Sequence, residues 1–189
     1  MKLPRCRHTG VMRVVAGTAG GRKLVVPAGD NTRPTSDRVR EAMFNSLFSL
    51  GAIEDARVLD AFAGSGALGI EALSRGAAHC TFVETDRAAL AALRENVETL
   101  DLAASSTIVT GDGLAAVARL AGSVDLVLLD PPYSFDGWDD LLAPLADALV
   151  VIESGRGVDL PEGWETHRER RYGSTVVTLA VAPSAPASQ

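Results

Sequence analysis

The sequence contains few of the residues that build disulfide frameworks and metal centres. Its 189 residues include two cysteines, Cys6 and Cys80, and three histidines, His8, His79 and His167. The cysteines form no CxxC pattern and the histidines are scattered, so we expect neither a disulfide scaffold nor a zinc or other metal site. This use of cysteine is typical of a reducing compartment.

Long apolar runs are also missing. No stretch approaches the roughly 18 consecutive apolar residues of a membrane span, and the charged N-terminus lacks the apolar region of a signal peptide. A hydrophobic content of 47% is nevertheless enough for one sizeable core. We therefore expect a cytoplasmic globular protein.

The charges are distributed unevenly along the chain. Residues 1–40 contain nine Lys/Arg and two Asp/Glu, whereas residues 41–189 contain nine and 22, giving formal charges of +7 and −13. This asymmetry suggests an anion-binding face near the N-terminus of an acidic body, because phosphate attraction depends on local charge. A merely solvated charged surface is the alternative.

The first predicted unit, residues 12–35, is a basic hairpin with a following loop. Met12–Ala16 and Arg22–Val26 have the pattern of two short strands joined by a glycine-rich turn. Residues 1–11 precede this unit as an extension or an upstream start. Residues 183–189 are rich in Pro, Ser and Ala, which predicts a disordered tail.

The second unit, residues 36–182, alternates strands and helices. It begins with a helix that Ser36 can cap. Repeated βα units predict an α/β fold with a doubly wound, mainly parallel sheet and an antiparallel closing hairpin. After the first helix the predicted elements are 57–61, 66–75, 79–84, 86–100, 106–110, 112–120, 124–129, 138–148, 149–153, 166–171 and 174–181.

A glycine-rich loop joins the first of these strands to a helix. Gly64, Gly66 and Gly69 match the GxGxxG spacing of dinucleotide-binding proteins, and Glu84 ends the next strand, where a carboxylate can hold a ribose. Asp60 argues against a dinucleotide, because its carboxylate beside the loop would face the negatively charged pyrophosphate. Two like charges about 4 Å apart cost about 4 kcal/mol at an effective dielectric of 20.

A ligand with a cationic end turns that repulsion into attraction, and S-adenosylmethionine has this form without any phosphate. In this interpretation Asp60 lies near the methionine ammonium, directly or through water. Asp112 ends the third strand and can accept from the adenine amino group, or it can simply cap the next helix. The predicted cofactor-binding residues are Asp60, Ala63, Gly64, Ser65, Gly66, Glu84, Asp112 and Gly113.

The tetrapeptide Asp130-Pro131-Pro132-Tyr133 ends the fourth strand. Two prolines cannot continue a central strand, so they hold the Asp130 carboxylate and the Pro131 carbonyl in a rigid turn beside an aromatic ring. Two acceptors can bind the protons of an exocyclic amine, direct its lone pair at a methyl donor and stabilise the developing positive charge. We predict these four residues as the catalytic set, with Tyr133 stacking on the target base.

The residues resemble Rossmann-like methyltransferases of amino groups and, more closely, the RsmD family of ribosomal RNA guanine-N2 methyltransferases. The similarity spans about residues 12–181 and includes Gly21-Arg22-Lys23-Leu24, Arg33-Pro34-Thr35, the Asp60–Gly69 loop and the Asp130 motif. It implies S-adenosylmethionine as cofactor and a guanine of small-subunit (16S) ribosomal RNA as substrate. We expect a monomer that acts on this RNA, either naked or within an assembled or assembling 30S particle. Candidate phosphate contacts are Arg13, Arg22, Lys23, Arg33, Arg38 and Arg40; a minority of them can instead pair within the protein.

Three other functions stay open at this point. An adenine-N6 DNA methyltransferase uses a similar motif, although 189 residues leave little room for target recognition. The literal GxGxxG spacing permits a dinucleotide oxidoreductase. An RNA-binding assembly factor with a vestigial pocket would not need the Asp130 carboxylate.

Overall fold

Alternating strands and helices build one mixed sheet in the computed structural model, which describes residues 12–27 and 36–184. Its strands are β1 Arg57–Asp60, β2 His79–Glu84, β3 Ser106–Thr110, β4 Leu126–Leu129, β5 Leu149–Ser154, β6 Glu165–Tyr172 and β7 Thr175–Val181. The helices are α1 Asp37–Ser49, α2 Ala67–Ser74, α3 Arg87–Thr99, α4 Gly113–Leu120 and α5 Trp138–Leu142. Single 3-10 turns follow at Ala103–Ser105 and Ala121–Ser123.

The sheet has the strand order β3-β2-β1-β4-β5-β7-β6. Its first five strands pair in parallel, whereas β7 pairs antiparallel with both β5 and β6. The order reverses between β1 and β4, since the chain moves outward from β1 to β3 and then returns to the other side. The predicted doubly wound sheet with an antiparallel closing hairpin is confirmed.

Apolar side chains cover both faces of the sheet. On one face, the core includes Val14 of the N-terminal hairpin, Phe44 of α1 and Leu93 of α3. On the other face, Val117 of α4 and Leu142 of α5 are fully buried. Side-chain caps begin α1, α3 and α4, and at α1 the Ser36 hydroxyl accepts from the Val39 N–H.

Two predicted elements are shorter than expected. The helix predicted over 138–148 ends at Leu142, because Pro144 supplies no backbone N–H and restricts the residue before it. The predicted hairpin strands form a single antiparallel bridge between Arg13 and Lys23, although the backbone bonds on either side of it confirm the hairpin.

The remaining boundaries lie beyond what the structure describes. The predicted extension 1–11, the loop residues 28–35 and residues 185–189 of the predicted tail are outside the described residues. No helix within 12–27 and 36–184 is long and apolar enough to cross a membrane.

Candidate active site

The predicted cofactor loop and the predicted catalytic turn lie side by side at the carboxyl edge of the sheet. Asp60 ends β1 and pairs in register with Leu128 of β4, so Asp130 follows two residues beyond that point on the neighbouring strand. Adjacent strands are about 4.8 Å apart. The two carboxylates therefore flank the position where the strand order reverses, which is where open α/β sheets bind their ligands.

Asp60 is the buried carboxylate of this crevice. One of its oxygens, Oδ2, accepts from the Gly69 N–H at 2.9 Å and thereby fixes the first turn of α2. The other, Oδ1, is buried and has no hydrogen-bond partner among the described residues. Burial, opposed by the Gly69 hydrogen bond and reinforced by the charge of Glu84, raises the pKa of the Asp60 carboxyl to about 7. A cationic group would satisfy Oδ1 and favour the ionised form.

The glycines of the loop serve different purposes. At Gly64, with φ of 53°, an added Cβ would meet nothing within 4 Å, so open space lies above its backbone. At Gly66, with φ of 87°, a Cβ would lie 2.4 Å from the Leu93 side chain. A Cβ at Gly69 would lie 2.3 Å from Phe82. Gly64 thus leaves room for a ligand, whereas packing against α3 and the sheet explains the other two glycines.

Glu84 holds the loop from the end of β2. Its Oε2 accepts from the Gly64 N–H at 2.8 Å, and its Oε1 accepts from the N–H groups of Thr85 and Asp86, each at 2.7 Å. Oε2 retains acceptor capacity for a ribose hydroxyl, whereas the two bonds to Oε1 occupy both of its lone pairs. Its backbone bonds already orient Glu84 for that contact.

The remaining predicted cofactor residues surround the same loop. Asp112 is exposed and caps α4, its Oδ1 accepting from the Ala115 N–H at 2.9 Å, so the capping role exists whether or not the residue also binds adenine. Gly113 begins α4 close to β1, since a Cβ there would lie 2.4 Å from the carbonyl oxygen of Ala61. Ala63 and Ser65 are buried within the loop.

The Asp130-Pro131-Pro132-Tyr133 turn presents an aromatic ring to solvent. Asp130 is half-buried and Pro131 is buried, but Tyr133 is 55% exposed. The Tyr133 hydroxyl is 3.0 Å from the Thr175 hydroxyl at the start of β7, and the ring lies against the backbone of Gly155. The exposed Tyr133 ring is therefore held at its hydroxyl by Thr175 and on one face by Gly155.

A shallow aromatic pocket adjoins this ring. Phe135 makes edge-to-face contacts with Phe62 at 5.7 Å and with Trp138 at 5.2 Å between ring centroids. The pocket is lined by Pro131, Pro132, Tyr133, Phe135, Trp138, Ser154, Gly155 and Arg156. Sequence reasoning missed the last five of these. Phe135 and Trp138 could have been found by their closeness to Tyr133 in the sequence, whereas Gly155 and Arg156 come from another strand end.

The basic N-terminal hairpin is bound to the helices beside the cofactor loop. The Glu71 carboxylate of α2 accepts from the N–H groups of Val15 and Ala16 at 2.7 and 3.1 Å. The Asn96 side chain of α3 bonds both the N–H and the carbonyl of Val25, and it also donates to the carbonyl of Ser65 at 2.9 Å. Asn96 thereby links the hairpin to the glycine-rich loop.

The predicted phosphate-binding residues differ in their exposure to solvent. Arg13, Arg22, Lys23 and Arg38 are exposed, although Arg13 and Arg22 also donate to backbone carbonyls. Arg33 lies outside the described residues.

Arg40 corrects the prediction, because its guanidinium is fully buried and cannot reach a phosphate on the surface. It donates to the carbonyl of Arg13 at 2.5 Å and pairs with Asp37 at 2.6 Å. Arg40 comes three residues after Asp37 on α1, so the two side chains lie next to each other, and the N-terminal hairpin covers Arg40. Arg40 is thus one of the internal pairs that the sequence allowed for.

Comparison with known proteins shows the family of this chain. A family model described as "Conserved hypothetical protein 95" matches residues 12–181. The ribosomal RNA small subunit methyltransferase D of Escherichia coli K12 is 39% identical over 189 residues, covering 95% of this chain and 94% of that protein. The chain belongs to the RsmD family. The predicted family and its methyltransferase class are confirmed.

Solved structures agree with the fold. The Escherichia coli protein yhhF is 38% identical and superposes with a TM-score of 0.81, and the match covers 93% of this chain and 100% of that one. An RNA methyltransferase from Salinibacter ruber, solved in complex with S-adenosyl-L-homocysteine, has a TM-score of 0.62 at 21% identity, with 82% of this chain and 97% of that one covered. At that identity the likeness concerns the Rossmann-like fold alone.

Proposed function

We propose that this RsmD-family protein transfers a methyl group from S-adenosylmethionine to the exocyclic N2 amine of a guanine in small-subunit ribosomal RNA. The observation that supports this most is the pairing of two strand ends at the reversal point. One carries a buried carboxylate with an oxygen that lacks a partner among the described residues, and the other carries the Asp130 turn with an exposed ring. The ribosomal RNA relatives support the substrate class.

The residues of the crevice fit S-adenosylmethionine. Asp60 Oδ1 would accept from the methionine ammonium, which also explains how a carboxylate at this depth is kept ionised. The open space at Gly64 admits the ligand to the loop backbone. Glu84 would bind the ribose hydroxyls, and Asp112 the adenine amino group. Backbone groups of Ala63, Ser65, Gly66 and Gly113 complete the proposed cofactor set.

The catalytic turn supplies acceptors to the target amine. The Asp130 carboxylate and the Pro131 carbonyl would each accept one N–H of the guanine N2 group, and Pro132 keeps their spacing fixed. With both protons held, the nitrogen lone pair points away from the ring plane towards the methyl donor. These acceptors also stabilise the positive charge that develops on nitrogen, and the methylated nitrogen then loses one of its two protons, which the Asp130 carboxylate or solvent would accept. The cofactor supplies an activated methyl group on a sulfonium, and because its thioether leaves neutral, no acid is required and positioning provides most of the rate gain.

The target base needs a surface outside its own stack. Tyr133 offers one, since its ring is exposed on one side and backed by Gly155 on the other. Stacking on an aromatic ring contributes about 1–3 kcal/mol per base. Because its hydroxyl is bonded to Thr175, the ring is already oriented before the base arrives.

The exposed cations of the N-terminal part are the proposed first RNA surface. Arg13, Arg22 and Lys23 project from a hairpin that is fixed to the cofactor loop, and Arg38 lies in the first turn of α1. Phosphate contacts of this kind position the RNA without reading its sequence. We propose that the protein acts as a cytoplasmic monomer on an assembled or assembling 30S particle.

Labelled methyl transfer tests the proposal. The protein is incubated with S-adenosyl[methyl-³H]methionine and either naked 16S ribosomal RNA or 30S particles that lack this modification, and the product nucleosides are identified by mass spectrometry. We expect N2-methylguanosine, with particles and naked RNA showing which form is the substrate. N6-methyladenosine, or the absence of any methylated nucleoside with both substrates, would overturn the assignment.

A further inference from the structure

Nearly half of the few cations in the acidic body of the protein lie near one end of the sheet. Nine Lys/Arg follow residue 41, and four of them, Arg156, Arg168, Arg170 and Arg171, fall between residues 156 and 171. Arg156 follows β5, and the other three belong to β6, the exposed edge strand of the sheet. The cations therefore gather at one end of the sheet, outside the basic N-terminal hairpin.

The end of β6 reaches the same edge of the sheet as Tyr133. Tyr172, its last residue, pairs with Thr175, whose hydroxyl bonds that of Tyr133. Arg171 pairs with Val176, and Val176 pairs in turn with Ser154, which lines the aromatic pocket. With strands about 4.8 Å apart, the backbone of Arg171 is about 10 Å from that of Ser154.

Strand alternation divides these arginines between the two faces of the sheet. Arg168 donates to the Ser46 hydroxyl of α1 at 2.7 Å, so Arg168 and Arg170 lie on the α1 face. Arg171 lies on the opposite face with Glu169, and a Cβ at Gly157 would lie 4.0 Å from the Glu169 carboxylate. The loop that contains Arg156 thus passes over the face to which Arg171 belongs.

Charge on an edge strand commonly prevents edge-to-edge aggregation. That role does not explain Arg156, which is outside the strand and lines the pocket itself. The ion pairs Arg40–Asp37 and Arg75–Glu71 involve other arginines, and none of those given for residues 12–27 and 36–184 includes Arg156 or Arg171. Both are exposed. Arg156 lines the pocket beside Tyr133, and Arg171 lies two strands away at the same edge of the sheet.

We propose that Arg156 and Arg171 form a second RNA surface, binding backbone phosphates next to the nucleotide whose base lies on Tyr133. This inference rests on the proposed function, since it requires an RNA substrate. It places the polynucleotide across the carboxyl edge of the sheet, with the N-terminal hairpin on one side of the target base and these two arginines on the other. Arginine suits this role because its planar guanidinium binds phosphate oxygens in pairs.

The test compares salt dependence of RNA binding among charge-neutralised variants. Affinities of the wild type, Arg156→Gln, Arg171→Gln and the double variant for a 16S ribosomal RNA transcript are measured by filter binding between 50 and 200 mM KCl. The matched control is Arg119→Gln, an exposed arginine in the last turn of α4. That helix starts at the carboxyl edge, so Arg119 lies towards the opposite edge of the sheet.

Each lost phosphate contact lowers the slope of log K against log salt by about 0.7 for single-stranded RNA. Between 50 and 200 mM KCl the affinity of every protein falls by some factor. That factor should be about 2.6 times smaller for each single variant than for the wild type, and about 7 times smaller for the double variant. Arg119→Gln should keep the wild-type slope. Calorimetric binding of S-adenosylhomocysteine, unchanged in every variant, shows that the fold is intact.

A double variant with the wild-type slope would overturn the inference. Loss of methylation of 30S particles at an unchanged slope would also overturn it, because the arginines would then contact a ribosomal protein instead of RNA. Identification of the nucleoside that the wild type methylates is a separate experiment, and its result does not affect the interpretation of the salt slopes. A lowered slope supports the RNA surface even if the methylated nucleoside is not N2-methylguanosine, in which case the proposed function alone fails.

Discussion

Replacing Asp60 by asparagine removes one negative charge from the cofactor crevice and leaves an oxygen that can accept from the Gly69 N–H. The helix start should therefore survive, and only the charge that faces the methionine ammonium is lost. A pair of unit charges at 4 Å contributes about 4 kcal/mol at an effective dielectric of 20, and desolvation offsets part of this. We expect the variant to bind the cofactor product S-adenosylhomocysteine about 100-fold more weakly at pH 7.5.

The pH dependence makes the prediction sharper. With the pKa of Asp60 at about 7 in the free protein, half of the molecules are ionised at pH 7 and about one in a hundred at pH 5. The ammonium prefers the ionised carboxylate, and the protonated form should bind about as weakly as Asp60→Asn, so the Kd of the wild type should rise about 30-fold from pH 7 to pH 5. Isothermal titration calorimetry measures this directly. A wild-type Kd that is constant over this range, or an equally steep profile in Asp60→Asn, would refute the reasoning.

Stability provides an independent control with a defined sign. The folded protein retains the Asp60 proton up to about pH 7, whereas the unfolded chain loses it near 3.8. Between these values the folded state binds more protons, so Asp60 lowers the free energy of unfolding as the pH rises, by about 4 kcal/mol in all. In urea titrations at pH 5 and pH 7, the wild type should therefore lose stability relative to Asp60→Asn on going to pH 7. A constant difference between the two proteins would contradict the burial argument.

Three further predictions concern the division of roles within the site. Asp130→Ala should abolish methyl transfer and leave calorimetric cofactor affinity within about threefold; an equal loss of both would place Asp130 in the cofactor site. Gly66→Ala should lower the free energy of unfolding in urea by about 2–4 kcal/mol, because its positive φ and the contact with Leu93 both oppose a Cβ. Its matched variant Gly64→Ala should instead weaken cofactor binding at a cost of about 1 kcal/mol in stability, and the reverse pattern would contradict the roles assigned to the two glycines. Asn96→Ala should cost about 2–3 kcal/mol by leaving buried backbone groups unpaired and should speed hydrogen exchange in the N-terminal hairpin, whereas unchanged exchange would show that the hairpin is held by other contacts.

Much of the fold could be predicted because it depends on local patterns. Buried parallel strands are short apolar runs, and the helices between them show their apolar spacing and their caps, as at Ser36 and Asp86. The helix predicted over 138–148 was wrong in length, because Pro144 disfavours helical backbone at Ala143 and the helix ends at Leu142. The positions of Asp60 and Asp130 at neighbouring strand ends also follow from strand order, which the doubly wound topology determines.

The roles of individual side chains depend on residues far apart in the chain. Arg40 and Arg38 are two positions apart and equally charged, yet Arg40 is buried against the hairpin and Arg38 is exposed. A helical pattern of charges does not show which segment will cover one side. The same holds for Asp112, where a cap and a ligand contact require the same residue type at the same strand end.

The sequence by itself determined the α/β class, the family and the two motifs that meet at the sheet edge, because each is written in contiguous residues. Tertiary structure alone decided how those motifs are supported. Tyr133 is oriented by Thr175, which comes 42 positions later in the chain, and the cofactor loop is joined to the hairpin by Asn96 of α3. Such contacts form only when the segments pack together, so their geometry arises from the whole core and not from any local pattern.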